Sequence, residues 1–164
     1  MPTSNAWWPH GTALDKTMNA AGHHQSLRHA EAPSDLGELL VVCLCAEWCG
    51  VCREYREGFQ QIARQFPAAC FHWLDIEEHA DDLGDLDVDN FPTLVIKRRD
   101  CVLFYGTMLP TPSHLRRTLE AFLEQTPEES LEYAFSSVER RCWQEDEDLL
   151  RLGADELSRI CTPE

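Results

Sequence analysis

The stretch Leu39-Leu40-Val41-Val42-Cys43-Leu44-Cys45-Ala46-Glu47-Trp48-Cys49-Gly50-Val51-Cys52 decides the fold of this chain. Its first seven residues are too apolar and too rich in β-branched side chains for a surface loop, so they predict a strand buried on both faces. Residues 53–66 carry apolar side chains at helical spacing, on Tyr55, Phe59, Ile62 and Phe66. The two cysteines of the Cys-Gly-Val-Cys segment are therefore predicted to lie where a strand passes into a helix.

That location favours redox chemistry. Backbone N–H groups at a helix start lack partners and the macrodipole there favours negative charge, so a thiolate is stabilised relative to a thiol. The thiolate is the nucleophile in disulfide exchange. We expect Cys49 to attack a substrate disulfide, and Cys52, one helical turn later, to resolve the mixed disulfide.

A zinc site is the main alternative for a Cys-x-x-Cys pair, and a purely structural pair is a third. Zinc needs four ligands, usually from a second pair at similar spacing. The cysteines downstream have no partner two residues away; they are Cys70, Cys101, Cys142 and Cys161. The spacing therefore favours a redox pair, and we expect no metal ligands.

Length and charge bound the classes of function. The chain has 164 residues with 43% hydrophobic content, which suits one globular domain with extensions. Its net charge of -15 argues against nucleic acid and anionic membranes as partners. Residues 1–10 lack a signal-peptide pattern, and no stretch is long and apolar enough to span a membrane. We therefore expect a cytoplasmic protein whose eight cysteines are mostly free thiols.

Further elements follow from the pattern downstream. A second strand is predicted at Ala69 to Asp75, parallel to the first because a helix connects them. The acidic residues 76–89 predict a short helix and a loop. Residues 90–97 and 101–106 predict an antiparallel hairpin, and residues 112–123 a helix. The predicted order is β-α-β-α-β-β-α.

With these elements in place, the chain resembles the thioredoxin family. Ala46 to Cys52 matches the family's active-site segment, Phe91-Pro92-Thr93 its cis-proline segment, and Tyr105-Gly106 the glycine after its last strand. The resemblance covers residues 26–125. It implies an α/β, thioredoxin-like fold, with a central mixed sheet flanked by helices. It also implies thiol-disulfide exchange on protein disulfide substrates, electron transfer from an upstream reductase or other electron donor, a place in cell redox homeostasis, and no cofactor.

The resemblance also implies a substrate groove. Pro92 would be cis and lie against the cysteine pair, where the backbone of Phe91 could bond an incoming substrate strand. Trp48 would shield the thiols and offer substrate an apolar contact. The implied groove is formed by Trp48, Phe91, Pro92 and Thr93.

The sequence departs from the family pattern at three positions. Cys43 occupies the place of a buried acid that assists proton removal from the second cysteine. Two alternatives are open for Cys43: an inert thiol filling a small apolar slot, or a third redox thiol near Cys52. Val51 replaces the usual proline between the cysteines, which alters the expected redox potential. The lysine that partners the buried acid aligns with Phe71.

The resemblance leaves both ends of the chain uncovered. Residues 1–25 are expected to form a flexible N-terminal extension, and residues 126–164 a C-terminal helical extension. The sequence Thr126-Pro127-Glu128-Glu129 is a strong helix start. An apolar stripe is predicted over Leu131, Ala134, Phe135, Val138 and Cys142. A second helix from about Glu147 would carry Leu149, Leu150, Leu152, Leu157 and Ile160.

The extension leaves a second class of function open. By default its helices pack on the sheet edge of the same chain. They could instead hold a dedicated partner or a second subunit. The alternative to an oxidoreductase is therefore a thioredoxin-fold binding or chaperone-like module with incidental cysteines.

Overall fold

A computed structural model describes residues 39–154. Through the helix that starts at Pro112, the observed order matches the predicted β-α-β-α-β-β-α. The N-terminal extension 1–25, Leu157 and Ile160 lie outside the described residues. The elements are β1 (Leu39–Cys45), α1 (Gly50–Gln65), β2 (Ala69–Asp75), α2 (Ala80–Leu83), β3 (Thr93–Arg98), β4 (Cys101–Thr107), α3 (Pro112–Glu124), α4 (Pro127–Ala134), α5 (Val138–Glu145) and α6 (Glu147–Arg151).

The four strands form one mixed sheet in the order β2-β1-β3-β4. β1 pairs parallel with β2 and antiparallel with β3, and β3 and β4 form an antiparallel hairpin. Every residue of β1 is buried, as its continuous apolar run predicted. β1 is therefore paired on both sides and covered on both faces.

Helices cover the sheet from both sides. On one face, α1 and α3 pack onto alternate residues of β1, and their buried side chains include Tyr55, Phe59, Ile62, Leu115 and Leu119. On the other face, Leu149 and Leu152 from the α6 segment pack with Leu40, Val42 and Leu44. Each fully buried Leu contributes roughly 1.5–3 kcal/mol relative to an exposed one. The sheet thus lies between two apolar cores, one on each face.

The predicted apolar stripe in the C-terminal extension is wrong. Of its five residues only Ala134 is buried. The helix is interrupted between α4 and α5, so the helical spacing of the apolar residues does not continue across the two. Two serines cause the break. Ser136 Oγ donates to Tyr133 O at 2.7 Å, and Ser137 Oγ caps α5 by accepting from Arg140 N at 3.2 Å. The predicted helix start at Thr126 is confirmed, with a full capping box.

Two buried cations at the end of β3 fasten the C-terminal helices. Lys97 Nζ donates to the carbonyls of Leu150 and Leu152 at the end of α6. Arg98 donates to Phe122 O at 2.7 Å and to Ser130 Oγ at 2.6 Å. These hydrogen bonds connect the end of β3 to α3, α4 and α6.

The edge strand β4 bonds to a side chain of α5. Gln144 Nε2 donates to Val102 O at 2.8 Å, and Gln144 Oε1 accepts from Val102 N at 2.9 Å. α5 therefore lies against this edge, as predicted, whereas α6 covers a face of the sheet instead of an edge.

Candidate redox site

The two cysteines of the motif lie where β1 ends and α1 begins. Cys49 is the N-cap residue of α1, its φ of -77° and ψ of 112° are extended, and its side chain is half-buried. Cys52 lies within the first turn of α1 and is 1% exposed. The pair thus has one accessible and one covered sulfur, as attack and resolution require.

The covered thiol is held in its neutral form. Burial raises the pKa of the Cys52 thiol far above its ordinary range, and hydrogen bonds with the side chains of Cys45 and Cys49 raise it further. A Cys52 thiolate therefore forms at neutral pH only where another group takes up its proton.

The segment before β3 approaches the cysteines from the neighbouring strand. The Phe91–Pro92 bond is cis, which confirms the expectation from the resemblance, and Pro92 is buried. Thr93 pairs with Leu44 near the end of β1, and Thr93 Oγ1 donates to Asn90 O at 2.6 Å. Pairing of β3 with β1 therefore brings Pro92 to the end of the sheet that carries Cys49.

Trp48 is a surface residue, with 63% of its side chain exposed. Its ring meets the ring of Phe91 edge to face, with centroids 5.6 Å apart. Its Nε1 donates to Glu77 Oε1 at 3.2 Å, while Glu77 N donates to Asp75 Oδ1 at 2.9 Å. Trp48 is therefore not part of the core, and most of its ring faces solvent.

Beneath the motif lies a group of buried thiols. Cys43 and Cys45 are 0% and 1% exposed, and their sulfur atoms are 3.6 Å apart. The Cys45 and Cys52 thiols belong to the same core and lie close enough for each to shift the pKa of the other. The predicted accessory thiol, Cys43, is thus in contact with Cys45, and Cys45 is the thiol that interacts with Cys52.

A phenol borders the same group. Burial raises the pKa of Tyr55, and the nearby thiols of Cys43 and Cys45 raise it further. Among residues 39–154, Tyr55 Oη is buried without a hydrogen-bond partner. The thiols and the phenol therefore lie together in a buried, apolar core.

Phe71, the position that aligns with the family's lysine, lies on β2. The register of β1 and β2 pairs Cys43 with Trp73 and Val41 with Phe71. Phe71 packs edge to face on Phe59 of α1, with centroids 5.4 Å apart. Phe71 and Trp73 are two residues apart on β2, so both side chains lie on the face that Phe59 covers.

Within residues 39–154, His, Cys, Asp and Glu side chains form no group of three or more suited to hold a metal ion. In the same residues, every helix is too short or too polar to cross a membrane.

Sequence reasoning missed three neighbours of the site. Cys45 is predicted only as part of the strand, although its i, i+2 spacing from Cys43 puts both on one face of β1. Glu77 is 29 residues from Trp48, so no local pattern connects them. Met108 N donates to Pro92 O at 3.4 Å, which places the exposed Leu109 after the segment that contacts Pro92.

Comparisons with known proteins agree on one family. The family model described as Thioredoxin matches residues 20–107. A thioredoxin H-type of Fagopyrum esculentum is 32% identical over 62 residues, covering 38% of this chain and 53% of that protein. Thioredoxin-2 of Saccharomyces cerevisiae is 34% identical over 58 residues, covering 35% and 56%. The chain therefore spans about half the length of the curated relatives it matches.

A solved structure extends the likeness to the fold. A mutant thioredoxin from Halobacterium salinarum has a TM-score of 0.50 and 21% identity, covering 57% of this chain and 82% of that one. At this identity the likeness concerns the fold alone. The match agrees with the mixed sheet flanked by helices described above.

Proposed function

We propose, from the premise that this chain belongs to the thioredoxin family, that it is a thiol-disulfide oxidoreductase whose redox centre is Cys49 and Cys52. The observation that carries the proposal is the pairing of a half-buried Cys49 at the start of α1 with a buried Cys52 one turn later. The cis Pro92 on the adjoining strand supports it.

The proposed reaction has two exchanges. Cys49, as a thiolate, attacks one sulfur of a substrate disulfide and expels the other as a thiolate. Cys52 then attacks Cys49 in the mixed disulfide, so that Cys49–Cys52 forms and the second substrate thiol leaves. The Cys52 proton passes to that leaving thiolate. An upstream reductase or other electron donor restores the dithiol.

Substrate binding falls to the residues around Cys49. Trp48 and Phe91 present an aromatic edge, and the backbone at Phe91, Pro92 and Thr93 is proposed to pair with an extended substrate segment. The exposed Val51 and Leu109 add apolar surface. We propose protein disulfides as the substrate class, because such a groove suits a peptide.

The compartment and the domain division belong to the same proposal. A reducing compartment such as the cytoplasm keeps the dithiol in the form that attacks substrates, which suits electron transfer in redox homeostasis. We propose residues 26–125 as the catalytic domain, residues 1–25 as an N-terminal extension and residues 126–164 as a C-terminal helical extension.

Reduction of insulin disulfides by dithiothreitol tests the activity. The full chain should accelerate insulin precipitation, Cys49→Ser should abolish the acceleration, and Cys142→Ser, an exposed thiol on α5, should leave it unchanged. A wild-type chain that folds normally and gives no acceleration would contradict the proposal.

A second candidate is a binding module of the same fold. Leu131, Phe135 and Val138 on α4 and α5 are 50%, 48% and 69% exposed, which favours contact with a dedicated partner or a second copy. In that case Cys49→Ser would retain the full function of the protein. Sedimentation of wild type and Val138→Glu measures self-association through this surface.

A further inference from the structure

The buried thiols of β1 connect directly to the redox pair. Cys43 and Cys45 are two residues apart on one strand, so both side chains point to the same face. That face belongs to the core that contains Cys52 and that Cys49 borders. The Cys43 and Cys45 sulfurs are 3.6 Å apart, and the Cys45 and Cys52 thiols lie close enough in the same core for each to shift the pKa of the other. The three buried thiols and the half-buried Cys49 thus form a row that leads from β1 to the start of α1.

Strand geometry decides which new disulfide this row can form. Residues i and i+2 of an extended strand have Cα atoms roughly 6.6 Å apart, near the upper limit for a disulfide. β1 is paired on both sides, so it cannot shorten this distance locally. Cys52 lies on a separate element, the start of α1, so its distance to Cys45 does not depend on the strand spacing.

We propose that Cys45 is a second exchange partner of Cys52, and that the oxidised protein converts from the Cys49–Cys52 disulfide to a buried Cys45–Cys52 disulfide. The inference rests on the proposed function of the Cys49–Cys52 pair. Cys45 loses its proton and its sulfur attacks Cys52, so that the Cys45–Cys52 bond forms and the Cys49–Cys52 bond breaks. Cys49 leaves with the electron pair and takes up a proton. The number of disulfides is unchanged, so the step needs no external oxidant or reductant.

Two local effects drive the exchange in this direction. Cys49 leaves at the start of α1, where the macrodipole stabilises negative charge. By contrast, a hydrogen bond with Cys43 and burial raise the pKa of the Cys45 thiol far above its ordinary range. A disulfide formed from a thiol that ionises poorly is harder to reduce. The same high pKa makes the exchange slow, because the Cys45 thiolate is rare.

The product would be an inactive form of the protein. Its disulfide lies in the core, out of reach of an external reductase. Cys49 is left as a lone thiol that can join a substrate in a mixed disulfide, while Cys52 is no longer available to resolve it. Slow isomerisation would therefore convert a turning-over enzyme into one that retains its substrate.

The chain permits a direct test by peptide mapping. The full-length protein is reduced, oxidised with diamide, incubated, and alkylated in denaturant at successive times. Cleavage after Glu38, Glu47 and Glu54 separates residues 39–47, with Cys43 and Cys45, from residues 48–54, with Cys49 and Cys52. The Cys49–Cys52 disulfide lies within residues 48–54, so this peptide is recovered alone and internally cross-linked. The proposed disulfide joins the two peptides, and fragmentation shows which cysteine of residues 39–47 is alkylated.

The joined peptides should accumulate with time in the wild type, with Cys43 alkylated. They should be lost in Cys45→Ser and retained in Cys43→Ser and in the control Cys142→Ser. The inference is overturned if only the looped peptide forms, or if Cys43 makes the link. The wild-type map stands even where a variant fails to fold. Insulin reduction by the wild type, measured in parallel, separates failure of the proposed function from failure of this inference.

Discussion

Trp48 and Phe91 meet edge to face with ring centroids 5.6 Å apart, so the residue before the first cysteine touches the residue before the cis proline. Aromatic pairs of this kind contribute about 0.5–1.5 kcal/mol beyond the area they bury. The contact therefore helps to hold together two segments that come from different strands, and it leaves most of the Trp48 ring exposed.

Replacing this ring should affect large substrates more than small ones. We expect Trp48→Ala to lower kcat/KM for insulin about ten-fold, which corresponds to about 1.4 kcal/mol of lost contact. Reaction with a small aromatic disulfide should change little, because such a molecule reaches Cys49 without the groove. Trp143→Phe, on α5 against Tyr105, is the control. Equal losses for both substrates would show that Trp48 acts on the thiols themselves.

The buried Cys52 thiol should make stability depend on alkaline pH. Its pKa is raised in the folded protein, so the unfolded chain loses this proton first as pH increases. The contribution of the neutral Cys52 thiol to the free energy of unfolding is therefore fully present below about pH 8.5. Above that pH it decreases, by at most about 1.4 kcal/mol per pH unit. Urea unfolding of the reduced protein between pH 8 and 10 should show a smaller slope in Cys52→Ala than in wild type. The exposed Cys142→Ala should keep the wild-type slope; identical slopes in all three would refute the cause.

Arg98 should be a major contributor to the stability of the C-terminal helices. It is 3% exposed and bonds to the carbonyls of Phe122, Gln125 and Thr126. Arg98→Ala removes hydrogen bonds from a charged donor, each worth about 1.5–3 kcal/mol, although Phe122 O and Thr126 O keep a backbone donor. We therefore expect a loss of about 3 kcal/mol or more. Arg98→Lys should recover only part, since an ammonium lacks the planar fork.

Chemical denaturation measures both changes, and the exposed Arg117→Ala on α3 should cost less than about 0.5 kcal/mol. A loss for Arg98→Ala as small as that of Arg117→Ala would mean that the bonds to α3 and α4 add nothing.

The phenol beside the thiols should be dispensable. Tyr55 Oη is buried without a partner among residues 39–154, and an unsatisfied buried hydroxyl costs about 1–3 kcal/mol. Tyr55→Phe keeps the ring and removes the hydroxyl, so we expect unchanged or higher stability, by up to about 2 kcal/mol. Thermal unfolding compares it with Phe59→Leu, which changes the neighbouring ring and should destabilise. A destabilised Tyr55→Phe would indicate that the hydroxyl is satisfied by a buried water.

The local patterns of the sequence predicted most of the fold, because burial on β1 and helical spacing on α1 and α3 are properties of short segments. The break between α4 and α5 escaped prediction. Leu131 and Val138 keep an apolar spacing that an uninterrupted helix would bury, whereas Ser136 and Ser137 end it by bonding to the backbone. The apolar spacing favours one continuous helix and the serine side chains favour its end, and the sequence pattern alone does not show which effect is stronger.

The candidate site likewise has a part that the local sequence predicts and a part that depends on tertiary contacts. Cys49 and Cys52 come from one motif, so their arrangement follows from helix geometry. The contact of Glu77 with Trp48, the pairing of Trp73 with Cys43, and the approach of Cys45 to Cys52 depend on tertiary register. A two-residue shift preserves the side-chain face, so the apolar pattern alone does not decide whether Phe71 or Trp73 pairs with Cys43.

The bonds between Gln144 and Val102 have a consequence for association with other chains. An edge strand with open N–H and C=O groups is a template on which another chain can add a strand. The amide of Gln144 supplies one donor and one acceptor to β4, as a fifth strand would at that position. The β4 edge is therefore capped at Val102 by the chain's own α5, which disfavours growth of the sheet into aggregates from this side.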